Sequence, residues 1–232
     1  MARYLIIAAS SAIGQSVVDI LKQQGDEVLT TARNRDKITP DFILDASDFS
    51  AVDAVFKEAG RLDGVVNCAG SLLLKSAHTT SEDEFHKTIS ASLTTSFATI
   101  RAAGKTMTEG GSVVLISSAA ALTGLANHEA IAAAKAGIIG LAQSAAATYA
   151  SANLRINVVA PGLIRTPLTA SMLSNQLVAK ASQAMHALGR IGEPQDVAQA
   201  IVFFLNPSNS WVTGQVLAVD GGLSSIRPKL KL

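Results

Sequence analysis

Seven short apolar segments alternate with longer helical patterns along this chain, and this alternation constrains the fold more than any other feature. The segments are rich in valine and isoleucine and lie at residues 4–8, 27–31, 42–44, 64–67, 112–117, 155–160 and 216–219. Helical patterns lie at 13–24, 50–59, 82–107, 129–150, 168–187 and 194–205. Strands that alternate with helices form parallel sheets, because parallel strands need a long crossover connection. We therefore predict an α/β fold with a doubly wound, seven-stranded parallel sheet and helices on both faces.

The connection between the second and third strands departs from this pattern. Too few residues separate positions 31 and 42 for a full crossover helix, so we expect a turn there with at most a short helical segment. Nothing in the 232 residues resembles a linker, and the sequence predicts a single domain over residues 1–232.

The composition permits a large core and excludes some classes of partner. Hydrophobic residues make up 48% of the chain and charged residues 16%, and the formal net charge is +1. This balance leaves no surplus positive charge for nucleic acid or an anionic membrane. We find no uninterrupted apolar run of membrane-spanning length and no signal-peptide pattern, which favours the cytoplasm. The single cysteine, Cys68, cannot form an internal disulfide, and a buried, reduced thiol is preferred over a reactive one.

The first strand leads through a turn of small residues into a helix. Residues 6–14 read Ile-Ile-Ala-Ala-Ser-Ser-Ala-Ile-Gly. A glycine-rich turn at this point can hold a dinucleotide pyrophosphate at the helix N-terminus, which makes Ser10, Ser11, Ile13 and Gly14 candidate binding residues. Only one of the three expected glycines is present. By itself, the pattern is therefore more typical of an ordinary strand-to-helix connection.

Motifs farther along the chain change that interpretation. They occur in a fixed order: Asn67-Cys68-Ala69-Gly70, Ser117-Ser118, Lys135, a Pro-Gly segment at 157–167, a Leu-Gly-Arg segment at 188–194 and an Asp-Gly-Gly segment at 214–222. In order and spacing they resemble the classical short-chain dehydrogenase/reductase family over essentially the whole chain. The resemblance implies a single Rossmann-type domain that binds NAD(P).

The resemblance also implies which residues contact the cofactor. Asn67, Ala69 and Gly70 would border it, and Asp45 and Ala46 would flank the adenine ring. The loop at 161–166 would receive the nicotinamide end, with Ile164 near the carboxamide. The other matching residues of that loop are Pro161, Gly162 and Thr166.

The end of the second strand indicates which dinucleotide is preferred. An acidic residue there would hydrogen-bond the adenine ribose and repel a phosphate, but the chain has Ala32 followed by Arg33. A guanidinium can grip a ribose 2′-phosphate with two hydrogen bonds, so we expect NADP(H) to be favoured over NAD(H). Ser10 and Ser11 could add hydroxyl donors. The alternative is that Arg33 is a solvated loop cation.

Alanines occupy two positions where glycines would be expected, Ala8 and Ala12. If either must adopt a left-handed backbone, the strain costs about 1–2 kcal/mol, enough to weaken binding about tenfold. If the turn keeps negative φ throughout, the extra methyl groups matter only where the backbone nears the pyrophosphate.

The catalytic positions depart further from the family pattern. The family's asparagine, serine, tyrosine and lysine correspond here to Ser92, Ser118, Ile131 and Lys135. The resemblance implies that Ser118 hydrogen-bonds a substrate carbonyl and that Lys135 binds the nicotinamide ribose. Isoleucine cannot transfer a proton. Ser92 could hold a water molecule, or it could be a serine on a helix surface.

A substitute acid could come from His128, because residues 128, 131 and 135 recur at the spacing of one helix face. Imidazole titrates near neutrality and can act as a general acid or base. The alternative is a solvated or capping histidine. Glu129, at the helix start, is better explained by its favourable charge against the helix dipole. The other histidines show no metal-ligand spacing, and we predict no metal site.

Three functions are compatible with these residues. The leading hypothesis is an NADP(H)-dependent oxidoreductase that transfers hydride between nicotinamide and a small carbonyl or alcohol substrate, with a water or His128 relaying the proton. The second is a catalytically silent dinucleotide-binding or scaffolding subunit, and the third is a dehydratase or isomerase that uses His128. The apolar segment at 168–190 could cover the substrate. The resemblance implies a homodimer or homotetramer built on the helices at 82–107 and 129–150.

Overall fold

The seven strands form one parallel sheet in the computed structural model, which describes residues 1–227. The strands are β1 (Arg3–Ile7), β2 (Glu27–Ala32), β3 (Phe42–Ile43), β4 (Gly64–Asn67), β5 (Gly111–Ile116), β6 (Leu154–Pro161) and β7 (Val216–Val219). They lie in the order β3-β2-β1-β4-β5-β6-β7, with every neighbouring pair parallel. The predicted fold class is confirmed. Residues 228–232, which the domain prediction included, lie outside the described residues.

The strand order of the sheet reverses direction between β1 and β4. From β1 the chain moves outward to β2 and β3, and it then returns to β4 on the other side of β1. Open α/β sheets bind ligands in the crevice that forms at such a reversal, beyond the carboxyl ends of the strands. The turns that follow Ile7 and Asn67 border this crevice.

Helices cover both faces of the sheet. Within residues 1–227 the α-helices are α1 (Ala12–Gln23), α2 (Phe49–Ala59), α3 (Glu82–Ile89), α4 (Thr95–Thr106), α5 (Glu129–Tyr149), α6 (Ala170–Leu173), α7 (Gln176–Met185) and α8 (Pro194–Leu205). Helices α1 and α8 pack together on one face, and α2, α4 and α5 cover the other. The connection from 33 to 41 contains no helix, as predicted.

The strands serve two hydrophobic cores at once. Leu5 and Ile7 of β1 belong to the core under α2, α4 and α5, while Tyr4 and Ile6 belong to the core under α1 and α8. All four are buried. Successive strand residues point to opposite faces, so a strand buried on both faces must be apolar at every position. This is why the strands read as continuous apolar runs in the sequence.

The predicted helix at 82–107 is helical throughout Glu82–Thr106, but it contains a π-helical turn that was not predicted. A π-helical turn, Ser90–Thr94, separates α3 from α4. The hydroxyls of Thr95 and Ser96 donate to the carbonyl of Ser92 at 3.0 and 2.8 Å. Side-chain donors of this kind compete with the backbone amides for the same acceptors. The π-helical turn is therefore centred on Ser92, one of the candidate site residues.

The predicted helix at 168–187 is also divided. A 3₁₀ turn, Pro167–Thr169, leads into the short helix α6, and α7 begins anew at Gln176. The side chain of Asn175 accepts hydrogen bonds from the amides of Leu177 and Val178 at 3.0 and 3.3 Å. This N-cap provides acceptors that a continuous helix would have supplied from its own backbone.

The helix predicted at 129–150 is α5, and it is strongly apolar. An 18-residue window within Glu129–Ala152 has a mean hydropathy of 1.4, so this helix could cross a membrane by length and composition alone. Its inner face includes Ala134, Ile138 and Ala142, each at most 1% exposed, and it packs on β6. A core helix against a parallel sheet has this composition for the same reason as the strands.

Candidate active site

The turn after β1 has one strained residue. Ala8 has a φ of +56°, in the left-handed region that favours glycine, whereas Ala12 is the first residue of α1 and has no positive φ. The turn is held by hydrogen bonds from the Ala8 amide to Thr31 Oγ1 at 3.2 Å and from the Ser11 amide to the Ala8 carbonyl at 3.0 Å. Left-handed strain of about 1–2 kcal/mol therefore applies at Ala8 and not at Ala12.

The N-terminus of α1 approaches the end of β1 closely. The side chain of Ser11 caps the helix by accepting from the Gly14 amide at 3.0 Å. A Cβ at Gly14 would lie 2.9 Å from both the Ala8 carbonyl oxygen and the Ala9 Cα. Any larger residue would push the helix away from the strand. Ser10 lies in the turn itself, and Ile13 packs on the core under α1 and α8.

Two groups of opposite charge lie near one another beside the ends of β2 and β3. Arg33 is exposed and directly follows β2. The pKa of Asp45 is lowered chiefly by the hydrogen bond from the Ser47 amide, then by that from the Ser47 hydroxyl, and in smaller part by the charge of Arg33. These two hydrogen bonds measure 3.0 and 2.7 Å. Ala46 is 8% exposed and belongs to the core.

The turn after β4 is fixed by Asn67, which is only 1% exposed. Its Oδ1 accepts from the Ala69 amide at 2.8 Å, and its Nδ2 donates to Thr99 Oγ1 of α4 at 2.9 Å. Gly70 follows, and a Cβ there would lie 3.2 Å from Lys135 Nζ. The turn therefore brings its backbone against the lysine ammonium.

Lys135 is a buried charge at the centre of the site. It is 6% exposed, and its Nζ donates to the Ile116 carbonyl at the end of β5 at 2.9 Å. Its own carbonyl accepts from the Ser117 hydroxyl at 2.8 Å. Burial lowers the pKa of Lys135 to about 8, with the nearby Cys68 acting in the opposite direction. Cys68 is half-buried rather than fully buried as predicted, and desolvation raises the pKa of its thiol to about 12, so the thiol stays protonated.

Ser118 lies one turn beyond β5 and is partly exposed. Its Oγ accepts from the Ala120 amide at 3.1 Å, which caps the 3₁₀ turn Ala119–Ala121. Because this bond uses a lone pair, the hydroxyl proton remains available for an incoming acceptor.

Ser92 lies in the π-helical turn and is completely buried. The alternative of a helix-surface serine is therefore wrong. Its Oγ has no hydrogen-bond partner among the residues that the structure describes. Buried hydroxyls without a partner are uncommon, because losing contact with water costs free energy.

The tyrosine position and the proposed substitute acid are not brought together. Ile131 is 3% exposed and lies within the core. His128 is half-buried, immediately precedes α5, and pairs its Nδ1 with the Ala126 carbonyl at 2.7 Å. Within residues 1–227, no hydrogen bond joins His128 to Ser118 or Lys135.

The loop after β6 crosses the carboxyl edge of the sheet and is held from three sides. The Gly162 amide donates to the Val219 carbonyl at 3.1 Å, following the end of β6 at Pro161. Ile164 is 5% exposed and pairs with Gly192 in an isolated bridge. The Thr166 amide donates to Thr169 Oγ1 at 3.1 Å. The loop is thus rigid at its start, middle and end.

One residue that contacts this loop, His186, could not be connected to it from the sequence. It is 4% exposed, and its Nε2 lies 3.2 Å from the Leu163 amide nitrogen. The only signal in the sequence was a histidine within an otherwise apolar segment. Nothing in its spacing connected it to residue 163.

A family model described as enoyl-(acyl carrier protein) reductase matches residues 7–224. The chain is 35% identical to carbonyl reductase family member 4 of Xenopus laevis over 94% of this chain and 96% of that protein. It is 30% identical to a 3-oxoacyl-[acyl-carrier-protein] reductase of Vibrio harveyi, with the same two coverages. A solved structure of ElxO with NADP bound superposes with a TM-score of 0.89 at 29% identity, covering 97% of this chain and all of that one.

With this sheet order, these turns and these relatives, the chain belongs to the classical short-chain dehydrogenase/reductase family. This is a family of oxidoreductases, and the resemblance inferred from the sequence is confirmed.

Proposed function

We propose that this protein is an NADP(H)-dependent oxidoreductase that transfers hydride between nicotinamide and a carbonyl or alcohol substrate at a site without the usual tyrosine. The observation that carries the proposal is the convergence of the capped α1 N-terminus, Gly70 and Lys135 at the carboxyl edge of one sheet. Ser118 follows β5 at the same edge.

The described residues fit a dinucleotide. Gly14 leaves room for the α1 N-terminus beside the strand, where backbone amides can meet a pyrophosphate. Exposed Arg33 offers a guanidinium to a ribose phosphate, and Ala32 leaves no carboxylate to repel it. Asp45 and Ala46 would flank the adenine, with Asn67, Ala69 and Gly70 bordering the cofactor and the loop of Pro161, Gly162, Ile164 and Thr166 receiving the nicotinamide. ElxO, a structural relative with NADP bound, supports the choice of cofactor.

The bound cofactor would supply or accept the hydride, and the chain's own side chains would hold the other reactant. Ser118 Oγ would donate its free proton to a substrate carbonyl. Lys135 Nζ uses one donor on Ile116, so it has further N–H groups for the nicotinamide ribose.

The proton must come from a group other than residue 131. With a pKa near 8, Lys135 is protonated at neutral pH and can release a proton to a water molecule in the site. Ser92 Oγ, buried and without a protein partner, is suited to hold such a water. His128 is the second candidate donor in its imidazolium form, because Nδ1–H donates to the Ala126 carbonyl and Nε2–H would then carry the proton to be transferred. Loss of the tyrosine would make the enzyme slow by about 10²–10⁴-fold unless this route compensates.

Turnover tests the proposal directly. NADPH oxidation would be followed against a panel of ketones and aldehydes for wild type, Ser118→Ala, Lys135→Ala and His128→Ala. We expect Ser118→Ala and Lys135→Ala to lose most activity, and His128→Ala to lose it only if the imidazole is the proton donor. Arg33→Ala should weaken NADPH binding about tenfold or more while leaving NADH binding unchanged. No turnover of any substrate would count against the oxidoreductase.

A silent dinucleotide-binding subunit is the second candidate function, favoured by the burial of Ile131 where a reactive hydroxyl is usual. Titration calorimetry distinguishes the two functions. Binding of NADPH without turnover supports the silent subunit, and no binding of any dinucleotide excludes both.

The proposal includes a cytoplasmic homodimer or homotetramer assembled through α4 and α5. Phe97 on α4 supports this assembly, since it is 48% exposed although its ring stacks on that of Phe49 with the centroids 5.8 Å apart. Sedimentation analysis of wild type and Phe97→Asp would test the contact.

A further inference from the structure

His186 lies where three separate segments meet. It follows the last residue of α7, and its ring packs against the loop after β6 and the turn after β7. A Cβ added to Gly162 would lie 2.8 Å from His186 Nε2, and one added to Gly221 would lie 3.5 Å from His186 Cβ. The imidazole therefore packs so closely on Gly162 that a side chain there would collide with it, and it lies in ordinary contact distance of Gly221.

Both ring nitrogens have a partner of defined type. Nδ1 lies 2.7 Å from the Ser182 carbonyl oxygen, which can only accept, so Nδ1 carries the hydrogen. Nε2 lies 3.2 Å from the Leu163 amide nitrogen, which can only donate, so Nε2 carries none. The geometry therefore requires the neutral ring with its proton on Nδ1.

The neighbouring carboxylate does not take part in these bonds. Asp220 accepts from the Gly222 amide at 2.9 Å and from the amide and hydroxyl of Ser224 at 2.9 and 2.5 Å. The Asp220 carboxylate is thus committed to its own turn, and the ring is left to bridge α7 and the Leu163 amide.

We infer that His186 is a positioning residue that joins α7 to the loop at 161–166, so that the segment over the substrate and the segment that receives nicotinamide are held as one unit. Leu163 directly precedes Ile164, the residue proposed to lie near the carboxamide. A shift in the Leu163 backbone would move that contact first. The expected effect on cofactor binding rests on the proposed function, whereas the hydrogen bond between the Leu163 amide and His186 Nε2 does not.

The test compares three forms of the full chain. His186→Phe fills the space without an acceptor for the Leu163 amide, whereas His186→Gln offers a carbonyl oxygen in place of Nε2. We expect His186→Phe to weaken NADPH binding about tenfold, because the part-buried Leu163 amide loses its acceptor and no longer holds the loop in place, and His186→Gln to recover most of the loss. Adenosine 2′,5′-bisphosphate, which lacks nicotinamide, should bind all three forms equally.

Amide hydrogen exchange measured without any ligand keeps the inference testable if the proposed function fails. The Leu163 amide should exchange faster in His186→Phe than in wild type or His186→Gln. Unchanged exchange at Leu163, or equal losses of NADPH and bisphosphate affinity, would overturn the positioning role. A wild type that binds neither ligand would refute the proposed function, while the exchange experiment would still decide the role of His186.

Discussion

At the scale of single residues, Ala8 and Lys135 both lower the stability of the folded protein and both lie at the proposed cofactor site. Ala8 holds a backbone conformation that suits glycine, and Lys135 holds a charge away from water. Both lie beside the crevice at the carboxyl ends of the strands. Strained and desolvated residues concentrate at functional sites because the surrounding fold can impose them there.

Replacing Ala8 by glycine should stabilise the protein. The left-handed strain of about 1–2 kcal/mol disappears, and the extra freedom of glycine in the unfolded chain offsets roughly half of it. We expect a net gain of about 0.5–1 kcal/mol in urea unfolding. Ala12→Gly is the matched control, since residue 12 is helical and should lose stability. A loss in both variants would argue against strain at position 8.

Replacing Lys135 by methionine should raise stability at neutral pH while abolishing cofactor binding. Burial lowers the lysine pKa from 10.5 to about 8, so the unfolded chain binds the proton more tightly than the folded one. The resulting destabilisation is fully present below pH 8 and fades as pH rises toward 10.5. We expect a gain of up to about 3 kcal/mol at pH 7.

Urea unfolding of wild type and Lys135→Met at several pH values measures this difference. Above pH 8 it should shrink by as much as about 1.4 kcal/mol per pH unit. Lys180→Met, at an exposed lysine of α7, should show no such dependence. A constant difference across the range would mean that Lys135 is not desolvated in solution.

At the scale of elements, the sequence predicted the strands and most helices. It did not predict the π-helical turn at Ser90–Thr94 or the division of the helix at 168–187. The strands could be predicted from the sequence because a strand that is buried on both faces is apolar at nearly every position. The π-helical turn at Ser92 was not predicted, because it is a single turn within a segment that is helical on both sides. The cap at Asn175 could have been anticipated, since asparagine is a preferred N-cap residue. The contact of His186 with Leu163 depends on tertiary folding alone.

Removing the hydroxyl of Ser92, in the π-helical turn, and that of Thr99, in α4, should change the stability of the protein by different amounts. Thr99 Oγ1 accepts from Asn67 Nδ2 and donates to the Thr95 carbonyl, so Thr99→Val should destabilise the protein by about 1–3 kcal/mol. Ser92 Oγ has no protein partner in the described chain, so Ser92→Ala removes at most the hydrogen bond to the proposed water and should cost no more than about 0.5–1.5 kcal/mol. Thermal unfolding compares them. A large loss in Ser92→Ala would indicate that Ser92 holds a tightly bound water.

At the scale of the whole molecule, the architecture is that of the short-chain dehydrogenase/reductase family, and the departures lie at the proposed reaction centre. The seven-stranded parallel sheet, the Lys135 contact with Ile116 and the capped α1 are present, whereas the positions proposed for the family's tyrosine and asparagine hold Ile131 and Ser92. The motifs could be recognised from sequence because they are local. Whether the substituted groups compensate depends on distances between segments, which a sequence does not contain.

Restoring tyrosine at position 131 tests whether the remaining site is still organised for chemistry. Ile131 is buried one helical turn before Lys135, so Ile131→Tyr carries a hydroxyl toward the lysine side of α5, and Ile131→Phe adds the same ring without it. We expect both variants to bind NADPH equally and Ile131→Tyr to reduce carbonyl substrates about 10²-fold or more faster than Ile131→Phe. Equal rates would mean that the proton already arrives by another route, and that the centre has been rebuilt around the isoleucine.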